Sequence, residues 1–155
     1  MLTWDPLKFD IVIGPHKVVG TAPDNFITAS FNEDQWTIQI GADGLPCRTR
    51  NANRSGRFTV TTMRGSPSNT FLAALARFDY GNAAGAVPVL IKDKNNLTGV
   101  AQASCEQGWI IKMADMGRGK ETDTQEWIIE TGVMDINPAG FSDITQLVPN
   151  IPQPG

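Results

Sequence analysis

Cysteine is scarce in this chain: Cys47 and Cys105 are the only two among 155 residues. No Cys-x-x-Cys pair exists, which excludes that metal and redox motif and leaves two reduced thiols acting as small core or surface residues. Histidine is scarcer still. His16 stands alone beside Pro15 in an expected turn, which excludes a histidine-rich metal site and makes a surface histidine the plain expectation. Charge is sparse as well, at 19% of residues with a net of -3, so bulk electrostatics do not make this domain a nucleic-acid binder. No apolar run approaches the ~20 residues that span a bilayer. The start, Met1-Leu2-Thr3-Trp4-Asp5-Pro6, has neither the basic region nor the apolar stretch of a signal peptide. The expectation is a soluble protein made in a cytoplasm, without a membrane anchor. Asn53-Arg54-Ser55 and Asn96-Leu97-Thr98 then match the glycosylation pattern by chance.

What is present is a core and a neutral polar surface. Apolar residues make up 41% of the chain, which excludes a disordered tail and suits one domain over residues 1–155. Thr, Asn, Gln and Ser supply surface that is cheaper to bury against a neighbour than Lys or Glu. Strand signals dominate, at residues 9–13, 17–19, 25–31, 35–40 and 57–63. Trp36, Ile38 and Ile40 alternate with Thr37 and Gln39, which predicts one face in the core; Phe58, Val60 and Thr62 alternate less cleanly with Thr59 and Thr61. The short connections at 32–34, 41–44 and 51–56 are rich in Gly, Asn and Asp, so these strands read as an antiparallel meander. One helix is predicted over 67–80. Ser66 caps it, Pro67 opens it and Gly81 ends it in the left-handed region, with Phe71, Leu72, Leu75 and Phe78 on one face. Strands resume at 87–92 and 97–104, around a turn at 93–96. A second hairpin is formed by 108–113 and 125–130, and residues 115–123 between them read as a polar loop. From Asp135 to the end, Pro138, Pro149, Pro152 and Pro154 mark an extended arm over 135–155.

Tests for chemistry come out negative. Gly117-Arg118-Gly119-Lys120-Glu121 resembles a phosphate loop only superficially: Ala114 replaces the leading glycine and Glu121 the magnesium-binding hydroxyl. Asp93-x-Asn95-x-Leu97 begins like a calcium loop but lacks the third oxygen ligand and the glycine, so a β-turn is the better reading. Glu33-Asp34 and the Glu121/Asp123 pair are turn carboxylates, more often solvated than catalytic. The sequence therefore argues against an enzyme and offers no cofactor or metal site. Its one local basic cluster is Arg48, Arg50, Arg54, Arg57 and Arg64, with Arg48 and Arg50 on one strand face. Few aromatics interleave with it, so pairing with acidic turns, within the subunit or on a neighbour, is preferred to nucleic-acid binding, while each arginine singly is as readily a solvated charge.

Order and spacing add a further point. Asn32-Glu33-Asp34 precedes the Trp36 strand, followed by Gly41-Ala42-Asp43-Gly44, Arg48-Thr49-Arg50-Asn51, Ser55-Gly56 and Ser66-Pro67-Ser68-Asn69. Between about residues 24 and 75 this arrangement resembles the phage tail tube family, with weaker similarity through the Trp109 and Trp127 strands. The resemblance implies a mainly β fold, a small antiparallel β-barrel or sandwich with one flanking α-helix. It implies a structural virion protein: hexameric rings that stack into a tail tube in the virion tail, assembled in the host cytoplasm, with DNA passing through the lumen without specific binding during genome ejection. Its implied partners are further copies of itself, a tape-measure protein, a baseplate initiator and, in contractile tails, a sheath. The alternatives are a terminator or neck adaptor ring, and a tube protein of a bacterial secretion or contractile injection system. The expected assembly contacts are Asn32, Glu33, Asp34, Asp43, Arg48, Arg50, Arg54, Asp115, Arg118, Lys120, Glu121 and Asp123.

Overall fold

The computed structural model of the chain describes residues 4–94, 101–117 and 124–137. Its strands in chain order are β1 (Phe9–Ile13), β2 (His16–Lys17), β3 (Ile27–Phe31), β4 (Trp36–Ile40), β5 (Pro46–Arg50), β6 (Gly56–Met63), β7 (Val87–Asp93), β8 (Ala101–Lys112), β9 (Thr124–Thr131) and β10 (Asp135–Ile136). The α-helix among the described residues is α1 (Ser68–Asn82). Eight strands form one sheet in the order β2-β1-β7-β8-β9-β6-β3, with β10 added to β8. Every pairing in it is antiparallel.

The sheet rolls up because its two outer strands are connected through residues 18–26. Met63 donates its amide to Gly20 O at 2.8 Å, Ala22 to Thr61 O at 3.0 Å, and Thr61 to Phe26 O at 2.9 Å. Phe26 also meets Phe9 of β1 edge to face, 5.5 Å between centroids. Gly20 has φ +67° there, and a Cβ on it would lie 2.8 Å from the Ser66 side chain, so the close approach needs glycine. The roll encloses one core, with Ile11, Ile13, Phe58, Val60, Leu72, Val89, Ile91, Trp127, Ile129 and Met134 buried. At ~1.5–3 kcal/mol for each large side chain removed from water, this cluster dominates the folding free energy. The result is a small antiparallel barrel with a flanking helix. Cys105 belongs to this core, and burial pushes its thiol up from its ordinary value.

Helix α1 lies against β8 and β2. Its start is stitched to the barrel by serines. Ser66 Oγ accepts from Ser68 N at 3.2 Å and donates to Val19 O, while Val19 N donates to Ser68 Oγ at 2.9 Å. His16 is not a free surface histidine: its Nε2 lies 2.9 Å from Ser68 Oγ and its ring stacks on Phe71 at 4.6 Å. The helix runs past Gly81 and ends at Ala83, which takes the left-handed conformation at φ 53°. Asp79 explains the extension, since its carbonyl accepts from Ala83 N at 2.7 Å and its carboxylate from Gly85 N at 2.8 Å. Of the four expected core residues, Leu72 is buried, Phe71 and Leu75 are partly buried, and Phe78 is exposed.

The meander expectation is corrected. Strand β3 pairs directly with β6, and the two strands between them leave the barrel as a separate two-stranded sheet. The second expected hairpin is present: β8 pairs with β9 across a register shift between Ile110 and Lys112. The first residues of the expected arm, Asp135 and Ile136, add β10 to β8. Residues 138–155 lie outside the described part, as do Leu97 to Val100.

A projecting hairpin as candidate assembly surface

Strands β4 and β5 pair in the register Trp36↔Arg50, Ile38↔Arg48 and Ile40↔Pro46 on one face. Thr37↔Thr49 and Gln39↔Cys47 make the other face. The tip is a tight turn. Gly41 N donates to Leu45 O at 2.9 Å, Gly44 sits at φ +84°, and Asp43 Oδ1 accepts from Leu45 N at 3.1 Å. Asp43 thus shapes the turn.

Every residue of both strands is exposed. Trp36, Ile38, Ile40 and Leu45 are 44%, 69%, 57% and 70% exposed. The period-two pattern of residues 36–40 is present, but its apolar face meets no core, contrary to expectation, because the hairpin has left the barrel. Arg48 lies over the Trp36 ring at 4.0 Å, a cation–π contact that leaves both side chains on the outer surface. One face is therefore apolar and basic; the other is neutral and polar, with Cys47 exposed on it.

The root of the hairpin is held by amides and carboxylates. Asn32 donates its backbone amide to Ser55 O at 3.1 Å, and its side-chain amide reaches Ser55 Oγ at 3.1 Å and Glu130 Oε1 at 3.0 Å. Asn51 Nδ2 donates to Glu33 Oε2 at 2.8 Å and to the Asp34 carbonyl at 3.0 Å. The Asn51 side chain, with Asn53 adding to it, holds the Glu33 carboxyl below its ordinary range. Arg54 donates to Met134 O at 3.3 Å and lies over the Phe31 ring at 5.1 Å, while Met134 N returns a bond to Arg54 O at 2.9 Å. A Cβ on Gly56 would lie 2.6 Å from Met134 Sδ, so glycine is what allows Met134 to close the barrel beneath the root.

The expected contact residues thus separate into groups. Asp43, Arg48 and Arg50 lie on the hairpin, and Asn32, Glu33, Asp34 and Arg54 build its root. Asp115 lies elsewhere, 3.6 Å from Lys112 at the far end of β8. Arg118, Lys120, Glu121 and Asp123 fall outside the described residues. The sequence reading missed the apolar hairpin face as surface. Polar, asparagine-containing connections on both sides of residues 35–50 were the available signal for a unit that stands apart.

A second exposed feature lies beside the root. A groove of about 660 Å³ is lined by Ser104 to Gln107 and Trp109 of β8, by Thr131 to Val133 and by Asp135. Among the described residues its charged lining side chains are Glu106 and Asp135. Among the described residues no three His, Cys, Asp or Glu side chains come together as metal ligands, and no described helix is long and apolar enough to cross a membrane.

A family model described as Bacteriophage PhiTE tail tube protein matches residues 14–138. The chain belongs to that family. It is 27% identical to Structural protein ORF10 of Pseudomonas phage KPP10, over 96% of this chain and 94% of the relative. In fold it is similar to the anti-feeding prophage tube-terminating cap, at TM-score 0.55 and 11% identity, with 88% and 92% of the two chains covered. The sheath-tube complex of an extracellular contractile injection system, PVC, gives TM-score 0.55 at 13% identity, with 85% and 90% covered. These low identities establish the shared fold alone. Membership in a tail tube family makes this a phage structural protein of the virion tail, and the family is a structural rather than a catalytic one.

Proposed function

We propose that this chain is the repeating subunit of a phage tail tube, with copies closing into hexameric rings that stack around a lumen through which DNA passes. The observation that carries the reading is the hairpin. It presents an apolar, basic face and two open strand edges to solvent, a combination that monomers avoid and that a neighbouring copy would cover. Its root is over-determined by hydrogen bonds, which suits an arm held ready for a partner rather than a floppy loop. With a net charge of -3, the protein has no bulk attraction that would hold DNA in transit. Tape-measure protein, baseplate initiator and a sheath are the partners this role implies, and assembly belongs in the host cytoplasm.

A second reading is a terminator ring, because the fold matches a tube-terminating cap as well as it matches a sheath-tube complex. Negative-stain electron microscopy at rising protein concentration separates the two. Stacked hollow tubes are the expected result. Closed rings that never stack would favour the terminator, and monomers that persist even with a baseplate initiator would overturn both.

A further inference from the structure

Hairpin and groove lie on the same rung of the barrel. Phe31 pairs with Gly56, Gly56 with Thr131, and Thr131 with Gly108, so the point where the hairpin leaves and the wall of the groove are neighbours. The bond from Met134 N to Arg54 O joins the two directly. No hairpin residue lines its own chain's groove. The two surfaces are complementary in kind. The hairpin offers Trp36 and Ile38 with Arg48 and Arg50; the groove offers Trp109 and Val133, 36% and 69% exposed, with Glu106 and Asp135 and, among the described residues, no cation. Two arginines meeting two carboxylates beside an apolar contact is the arrangement that fixes register and rejects wrong partners.

We infer that the hairpin of one subunit docks in the Glu106–Asp135 groove of the subunit beside it in the ring, so that this contact closes rings rather than stacks them. The inference rests on the ring-and-tube reading above and specifies its lateral interface. Subunits standing side by side with parallel axes present the hairpin's root and the groove at one end of the barrel. End-to-end stacking would carry the hairpin instead to the opposite end of a barrel, near Met63 and Thr124, which pair at the far end of β6 and β9. A contact between two different surfaces of one chain closes a ring when its rotation closes, and otherwise runs on as a filament.

Photo-crosslinking tests this. The full chain carrying Ile38→p-benzoylphenylalanine is mixed from light and heavy isotope cultures, assembled, irradiated and mapped by mass spectrometry, beside the parent protein imaged by electron microscopy. Light–heavy adducts within 104–109 or 131–135, and a denaturing-gel ladder that stops at one ring's worth of subunits, are expected. If the parent forms neither rings nor tubes, the tube reading fails and the inference with it. If the parent assembles but adducts fall near Met63 and Thr124, with a ladder that has no upper limit, only the lateral docking is overturned. Adducts within one chain, or to residues 138–155, overturn it too, because the groove then has a different occupant. Arg48→Glu with Arg50→Glu provides an independent reading: the concentration needed for ring formation should rise at least tenfold. Adding Glu106→Lys and Asp135→Lys should restore it, and no restoration would count against the docking.

Discussion

Asn69 Oδ1 accepts a hydrogen bond from Trp127 Nε1 at 3.1 Å and a second from Thr62 Oγ1 at 2.5 Å. The amide of the same side chain donates to Met63 O at 2.9 Å and Arg64 O at 3.1 Å. One residue in the first turn of α1 thereby satisfies two buried donors of the barrel and ties the helix start to the end of β6. Trp127 and Thr62 are 2% and 0% exposed, so neither could turn to water. Asn69→Ala should cost about 2–4 kcal/mol, because the buried Trp127 donor is orphaned, Thr62 keeps only Gln125 O at 3.5 Å, and the two bonds to the end of β6 are lost. At this chain length that is a fall of roughly 6–15 °C in melting temperature, measurable by calorimetry or circular dichroism. A change below ~2 °C would show that water or a neighbouring group replaces the amide.

Much of this framework was legible in the sequence, for reasons that can be traced to particular residues. Strand β6 and the β8–β9 pairing follow from β-branched and aromatic runs bounded by turns, and the helix follows from its serine–proline start. Alternation misled in one place. Trp36-Thr37-Ile38-Gln39-Ile40 is the cleaner period-two pattern, yet it is exposed, while Phe58, Val60 and Thr62 are buried. A period of two specifies that one face differs from the other; it does not name what that face will meet. The helix end was misplaced for a related reason. Gly81 satisfies a local preference, but the Asp79 contacts to Ala83 and Gly85 carry the helix two residues further, to Asn82. His16 could not be placed because Ser68, its partner, lies 52 residues away.

Ala83 offers a direct test of that helix end. It is the one non-glycine residue with positive φ among the described residues. An alanine Cβ is disfavoured in the left-handed region, whereas glycine is not. Ala83→Gly should raise stability by about 0.5–1 kcal/mol despite loosening the unfolded chain. Denaturant midpoints at an unchanged slope would measure it. A loss of stability would mean that the unfolded-state entropy outweighs the relieved backbone strain.

Acid should loosen the β1–β2 edge through Asp10. Its carboxylate is 2.9 Å from both Lys17 and Lys94, and its side chain is only 14% exposed. Hydrogen bonds from Lys17 and then Lys94 hold its pKa below the ordinary 3.8. A lowered carboxylate pKa means the unfolded state takes up the proton first, so the contribution is complete above the ordinary value and is lost as pH falls through the folded value. Asp10→Asn should therefore lower the melting temperature at pH 7. The gap to the parent should shrink progressively as pH drops below about 4, toward the lowered folded-state value. Parallel melting curves with a constant gap from pH 7 to 2 would refute the linkage.

The hairpin predicts a separation between folding and assembly that no core residue can show. Ile38 is 69% exposed on a strand whose pairing is confined to the hairpin. Replacing it by aspartate removes little buried area from the isolated chain, so stability should change by only about 0.5 kcal/mol. If its face is covered in the assembly, the same change buries a carboxylate in an apolar contact, which is severely unfavourable. Ile38→Asp should therefore melt with the parent yet fail to form rings or tubes. Ile129→Ala is the contrasting control: Ile129 is 1% exposed, and its truncation should cost about 2–5 kcal/mol through the cavity it leaves. Where that weakened barrel remains folded, its hairpin is intact and it should still assemble. Sedimentation velocity beside thermal melts reads both quantities on the same samples. If Ile38→Asp assembled like the parent, the apolar face would be ordinary surface and the arm would have to act through its edges alone. If it unfolded like the core variant, the hairpin would be part of the monomer's own stability, and its exposure in the isolated chain would need another explanation.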